Sequence, residues 1–112
     1  LGERLDNHPM CGVLPLRTRM GERLTTLGYR EVTTTAPTLL GPAGTVFRGH
    51  EFHYSYLEGT PSIAPVYQMT SYRGTHVEGW TSGKVLGSYV HAHFGSNPAL
   101  AQHLVAACGA RP

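Results

Sequence analysis

Seven of the 112 residues are histidines, and two of them, His91 and His93, stand one residue apart in the run Val85-Leu-Gly-Ser-Tyr-Val-His-Ala-His-Phe-Gly-Ser-Asn97. Imidazole takes up and releases a proton near neutral pH, so general acid–base catalysis is the chemistry this run could do. A second pair, Glu51 and His53, lies in Arg48-Gly-His-Glu-Phe-His-Tyr-Ser55. In a strand these two share a face, with His50, Phe52 and Tyr54 on the other. That spacing suits an acid–base or substrate-binding pair, and equally an ordinary surface pair. A third group, Arg17, Arg19 and Arg23 around Met20 and Leu24, reads either as solvated surface or as guanidinium forks for a substrate rich in carboxylates. Imidazole suits several transition metals, so His50, His53, His91 and His93 could gather on one. Histidines one apart on a strand also arise readily by chance, no Cys/His spacing of structural zinc is present, and no metal ligand is assigned.

The elements that must position these groups are mostly strands. Val85 to Phe94 reads as one strand, with Leu86, Val90, Ala92 and Phe94 packing inward and Tyr89, His91 and His93 facing the other way. Upstream, Leu27–Thr35, Thr45–Ser55, Val66–Tyr72 and Val77–Trp80 are rich in β-branched and aromatic residues and predict strands. Turn chemistry separates them at Leu40–Gly44, Arg73–Gly74 and Thr81–Lys84, and Gly59–Pro65 reads as a loop, so the chain is a run of antiparallel hairpins. Met10–Pro15 reads as a short buried strand. Asn97 and Pro98 open a helix whose stripe, Leu100, Ala101, Leu104, Val105 and Cys108, is expected to be core, and Gly109 closes it.

Composition bounds what these elements can belong to. With 40% hydrophobic and 14% charged residues, the chain suits one globular domain, or part of one, with a modest core. A formal charge of +2, spread over scattered arginines, argues against a nucleic-acid footprint. No apolar run approaches the roughly 20 residues that span a bilayer, so no membrane partner and a soluble, cytoplasmic chain are expected. Cys11 and Cys108, near opposite ends, are expected to be reduced, buried small hydrophobes. There is no internal repeat and no Gly-rich phosphate loop. The first residue is Leu1, and the opening Leu-Gly-Glu-Arg-Leu-Asp-Asn-His-Pro reads as the middle of a connection, so a fragment of a longer protein is expected.

Five pieces in fixed order carry a resemblance. Met-Cys-Gly-Val-Leu-Pro (10–15), Leu-Gly-Tyr-Arg-Glu-Val (27–32), Leu-Gly-Pro-Ala-Gly-Thr (40–45), Arg-Gly-His-Glu-Phe-His-Tyr-Ser (48–55) and Ser-Tyr-Val-His-Ala-His-Phe-Gly-Ser-Asn-Pro (88–98) resemble the C-terminal part of the cobyrinic acid a,c-diamide synthases. The related cobyric acid synthases carry a shorter version of this layout. The 48–55 segment most resembles the a,c-diamide enzymes and their sirohaem-amidating relatives.

The resemblance implies an α/β fold, the C-terminal half of a class I-like glutamine amidotransferase domain. Residues 1–112 would then be a partial domain, a mixed sheet with antiparallel hairpins, one carrying His91, and a C-terminal helix. It implies an ATP-dependent amidoligase whose substrates are glutamine and a corrin-type macrocycle, cobyrinic acid, with ATP and Mg²⁺ held in an N-terminal synthetase domain absent here. In this family a Cys on a strand-to-helix elbow attacks the glutamine amide and a His serves as its base. By its place in the Ser-Tyr-Val-His motif, His91 resembles that His. The elbow would lie upstream of Leu1, and neither Cys11 nor Cys108 has its flanking glycines, so the chain alone is expected not to hydrolyse glutamine. Where the wider class has a carboxylate two residues after the His, this chain has His93, so orientation of His91 falls to the backbone or to His93. Glu51, His53 and His93 are assigned to substrate or interdomain contact. Apolar sheet surface left exposed by a partial domain favours a homodimer. The rival reading is a non-catalytic module that binds a tetrapyrrole or a metal through its histidines and arginines.

Overall fold

Strands dominate, as the turn spacing dictates. The computed structural model describes residues 1–109. In chain order the strands are β1 (Arg4–Leu5), β2 (His8–Pro9), β3 (Arg17–Met20), β4 (Thr26–Thr34), β5 (Val46–His53), β6 (Ser55–Leu57), β7 (Tyr67–Ser71), β8 (Gly74–Glu78), β9 (Trp80–Ser82), β10 (Val85–Gly87) and β11 (His91–Ala92). A 3-10 turn at Phe94–Ser96 and the helix α1 (Ala99–Gly109) follow. Five strands form an antiparallel sheet in the order β11-β5-β4-β7-β8. A smaller mixed sheet, β2-β1-β3-β6, contains the parallel pair β1–β3, and β9 and β10 form a hairpin.

Side-chain alternation in β4 and β5 divides the large sheet into two faces. Val32 and Thr34 on β4, and Phe47, Gly49 and Glu51 on β5, are buried, while Leu27, Tyr29, Glu31, Val46, Arg48 and Phe52 are exposed. The register sets Val32 against Phe47, Arg30 against Gly49 and Gly28 against Glu51. The inner face is therefore apolar at one end and charged at the other. Its apolar end joins Leu40, Val66, Tyr67, Met69 and Leu100 in the main core. A second cluster, Leu14, Leu16 and Trp80, packs with Leu57 and Ile63. At the start of α1, Asn97 Oδ1 accepts the Ala99 N–H at 3.1 Å, as expected of an N-cap, and its Nδ2 donates to the Val46 carbonyl at 3.0 Å. The cap thus ties the helix to β5.

Five expectations are corrected. The strand from Val85 to Phe94 is broken, because the Tyr89 and Val90 N–H groups bond side-chain oxygens of Glu78 and Ser88 instead of a neighbouring strand. Leu86, Val90 and Ala92 still pack against the core, while Phe94 turns into the 3-10 segment. Met10–Pro15 is not a strand: the Gly12 and Leu14 N–H groups bond the carbonyls of Gly2 and Leu1, Pro15 has no N–H to give, and Leu14 is the buried member. The polar stretch around Arg17, expected to be connecting chain, forms β3. Finally, α1 meets the core through Leu100 alone, leaving Leu104 half-buried and Ala101, Val105 and Cys108 exposed. Both cysteines are free and exposed, not buried.

These burials set a stability contrast. Phe47→Ala removes a ring that is 1% exposed and is expected to cost about 3–5 kcal/mol. Val105→Ala, at a position 71% exposed, is expected to stay within about 0.5 kcal/mol. Denaturant unfolding of the two variants measures both.

Candidate active site

His91 is placed by the edge of β5. Strand β11 pairs His91 with His50 and Ala92 with Gly49. This approach requires glycine at 49, where a Cβ would lie 2.5 Å from Val90 Cγ1 and 2.7 Å from the His91 carbonyl oxygen. Directly paired residues share a face, so His91 stands with His50 on the outer side, and His50 meets Tyr29 edge-on at 5.1 Å. The His91 ring is exposed, and its Nδ1 lies 3.1 Å from the His50 carbonyl oxygen. A carbonyl only accepts, so this bond puts the proton on Nδ1 and leaves the Nε2 lone pair facing outward. That is the arrangement a general base needs, with a backbone carbonyl as orienter.

The inner face of the same strand carries a charged cluster. Glu51 is 4% exposed. It accepts from Arg30 Nε at 2.7 Å and from His53 Nε2 at 3.3 Å. Arg30 stands opposite Gly49 and reaches diagonally over Gly28, and a Cβ at Gly28 would lie 2.9 Å from its Nη1. Gly28 also has φ +144°, which disfavours any side chain there. Arg30 Nη1 donates to its neighbour's carbonyl, Tyr29 O, at 2.8 Å. His53 Nδ1 lies 2.6 Å from the Ser55 carbonyl oxygen. Both partners of the ring are acceptors, so both bonds form together on the doubly protonated imidazole. Tyr89 stacks on His53 with centroids 3.8 Å apart, and its hydroxyl is 2.6 Å from Ser55 Oγ.

Glu78, at the end of β8, closes this cluster. It is buried, and it accepts from Ser88 Oγ at 2.5 Å and from the Tyr89 N–H at 2.7 Å. Burial pushes its carboxyl above the ordinary range; the two hydrogen bonds and His53 pull it down, while Glu51 pushes it up. Burial and Glu78 likewise raise the Tyr67 hydroxyl, and burial raises that of Tyr89. A cleft of about 450 Å³ reaches Arg30, Glu51, His53, His76, Glu78 and Tyr89.

The candidates from the sequence therefore divide. Glu51 and His53 share the inner face and touch, and Tyr89, expected beside His91, joins them. His91 lies across the sheet. His93 is exposed, bound through its N–H to the Arg48 carbonyl at 2.9 Å, with its ring against Gly95. Arg17 and Arg19 pair with Glu3 and Glu58, each at 3.1 Å. Among the described residues no three His, Cys, Asp or Glu side chains converge as metal ligands. Arg30 and Glu78 are the groups the sequence reading left out. Alternation along β4 puts Arg30 on one face with Val32 and Thr34, a signal that was present. Glu78 gave none, because its partners lie ten and eleven residues on, past a hairpin.

With this geometry in hand, the chain belongs to the CobB/CobQ-like glutamine amidotransferase domain family, whose pattern it matches over residues 2–99. It is 39% identical over 103 residues to the cobyrinate a,c-diamide synthase of Salmonella typhimurium, which covers 89% of this chain and 22% of that relative. The same-named protein of Syntrophotalea carbinolica is 45% identical over 107 residues (90% of this chain, 23% of that relative). The hydrogenobyrinate a,c-diamide synthase of Streptomyces coelicolor is 41% identical over 108 residues, covering 96% of this chain. The chain thus spans 22–23% of the length of these relatives. No solved structure gives a significant match.

Two outcomes follow for the inner cluster. Arg30→Met leaves Glu51 buried without its guanidinium and is expected to destabilise by about 3–5 kcal/mol, measured by denaturant unfolding. The Glu78 carboxyl is raised in the folded chain from a usual 4.5, so the stability it adds is complete below about that pH and is lost as pH rises through the folded value. The difference in unfolding free energy between wild type and Glu78→Gln is expected to change in that direction above pH 4.5, and a pH-independent difference contradicts it.

Proposed function

We propose that this chain supplies the general base of the glutaminase part of an ATP-dependent amidoligase that converts the a and c carboxylates of cobyrinic acid to amides in cobalamin biosynthesis. The observation that carries the reading is the exposed His91 ring, fixed through Nδ1 on the His50 carbonyl with Nε2 free, in a chain of the glutamine amidotransferase family. His91 Nε2 takes the proton of a cysteine thiol supplied from outside this chain. The thiolate attacks the side-chain amide carbon of glutamine, and His91 returns the proton to the departing ammonia. Water then cleaves the thioester and releases glutamate. That the relatives are cobyrinate and hydrogenobyrinate a,c-diamide synthases supports a corrin-type substrate.

The outer face around His91 supports a covering body that brings the nucleophile. Tyr29 is 83%, Leu27 56% and Phe52 51% exposed there, more apolar surface than a finished active-site wall leaves in water. That cover is a further part of the same enzyme or a second copy in a homodimer. In this reading Glu51, His53 and His93 contact substrate or a neighbouring domain, and the enzyme is cytoplasmic with no nucleic-acid or membrane partner. ATP and Mg²⁺ belong elsewhere in the enzyme: the residues here offer no Gly-rich phosphate loop and, among those described, no converging metal-ligand set, so they do not fit that group.

His91→Ala in the full-length enzyme is expected to lower glutamine-dependent amidation and glutaminase by about 10²–10⁴-fold while amidation with free ammonia continues. Unchanged glutaminase overturns the assignment. The isolated chain is expected to release no glutamate from glutamine, and His91-dependent release would show that it carries its own nucleophile.

A further inference from the structure

We infer that Glu78 is a positioning residue for His91: its buried carboxylate, holding Ser88 and Tyr89, fixes the face on which β11 presents the imidazole. The catalytic meaning of this rests on the reading of His91 as the base.

The ladder that holds β11 is short. The strand is two residues long, lies at the sheet edge and pairs only with His50 and Gly49. A ladder this short specifies register weakly, and a slip of one residue exchanges the two faces of a strand. His91 would then point to the core side. The three residues before it break the regular alternation: Tyr89 stacks on His53 of the inner face and Val90 packs on the main core, whereas His91 faces out. In an uninterrupted strand, residues 89 and 91 share a face. The change of phase takes place in the segment that Glu78 holds.

The Tyr89 and Val90 N–H groups of that segment both run back to this carboxylate, one directly and one through Ser88. Glu78 Oε1 accepts the Tyr89 N–H at 2.7 Å, and Oε2 accepts Ser88 Oγ–H at 2.5 Å. Ser88 Oγ in turn accepts the Val90 N–H at 2.9 Å. Two donors aimed at one side chain require an acceptor with two oxygens, which a carboxylate supplies. Glu78 makes these bonds on the inner side, where Tyr67, Glu51 and His53 also act on it or are acted on by it, without touching the outer face where His91 stands.

The test uses the full-length enzyme with Glu78→Ala, Glu78→Gln and the milder Ser88→Ala. Misplacing a catalytic group by about 1 Å costs on the order of 10²-fold. Glu78→Ala is therefore expected to lower glutaminase kcat by about that factor, with glutamine KM and ammonia-dependent amidation unchanged. Ser88→Ala is expected to give a smaller loss of the same kind, and Glu78→Gln, which keeps one acceptor, to restore part of kcat. Nitrogen-15 NMR of the His91 ring is expected to show the Nδ1–H signal weakened or shifted in Glu78→Ala and Ser88→Ala. Unchanged kcat and ring signals overturn the proposal, as does an equal loss of ammonia-dependent amidation, which marks general damage. If Glu78→Ala does not fold, Ser88→Ala decides by the same criteria. If His91→Ala retains glutaminase, the base reading fails, and the NMR comparison alone still decides whether Glu78 positions the ring.

Discussion

A carboxylate taken out of water in the middle of a sheet has to be answered at once, and Glu51 is answered by Arg30 at 2.7 Å. Burying an ion costs several kcal/mol before its partners are counted, so the pair is tolerated only with close geometry and every remaining site satisfied. The close geometry comes from backbone choices. Gly28 leaves the floor over which Arg30 lies, and the β4–β5 register brings that floor opposite Glu51. The second carboxylate oxygen then fixes His53, whose other nitrogen is held by the Ser55 carbonyl. What results is a rigid aromatic surface, the flat of the His53 ring, on which Tyr89 lies at 3.8 Å.

From that surface the order passes through the sheet to the other side. Tyr89 is one residue from Val90, which sits on Gly49, and two from His91, whose imidazole is bound to the His50 carbonyl. The inner cluster and the outer histidine thus lie on opposite faces of the sheet, linked through the segment Tyr89–His91. A backbone carbonyl as orienter has a chemical consequence. It fixes the Nδ1–H tautomer as a carboxylate would, yet it carries no full charge, so it favours the imidazolium less than a carboxylate does.

How much of this was legible in the sequence depends on whether the cause was local. The β-branched run of 27–35, the period-two pattern of 48–55, the hairpin turns and the Asn97 cap were readable because each depends on residues within a few positions. The shared face of Glu51 and His53 followed from the same period. The break before His91 was not readable, since the apolar run from Val85 to Phe94 gives no sign that Glu78, across a hairpin, would take its N–H groups. The stripe of α1 misled for the opposite reason. Its spacing is helical and apolar, but burial depends on what lies beneath, and only Leu100 has the core under it. Cys11 and Cys108 were misjudged likewise, from residue type without regard to place. The ordered motifs carried the family because they reflect the whole pattern of turns and close approaches, including Gly28 and Gly49, that individual propensities do not resolve.

In the proposed reading, the outer face also explains why a base alone does not make a site. A proton shuttled by an imidazole in open water gains little, because solvent competes for every hydrogen bond the ring makes; excluding water strengthens those contacts and protects the acyl intermediate. Around His91 the exposed side chains are of the type that seals such a space: Tyr29 and Phe52 present flat apolar area, and His50 bridges between Tyr29 and the catalytic candidate. Their outward direction follows from the same alternation that buries Glu51 and Phe47. The sheet cannot turn them inward without exposing its core. In the proposed reading, whatever brings the nucleophile comes to this face, and the register of β5 sets where His91 meets it.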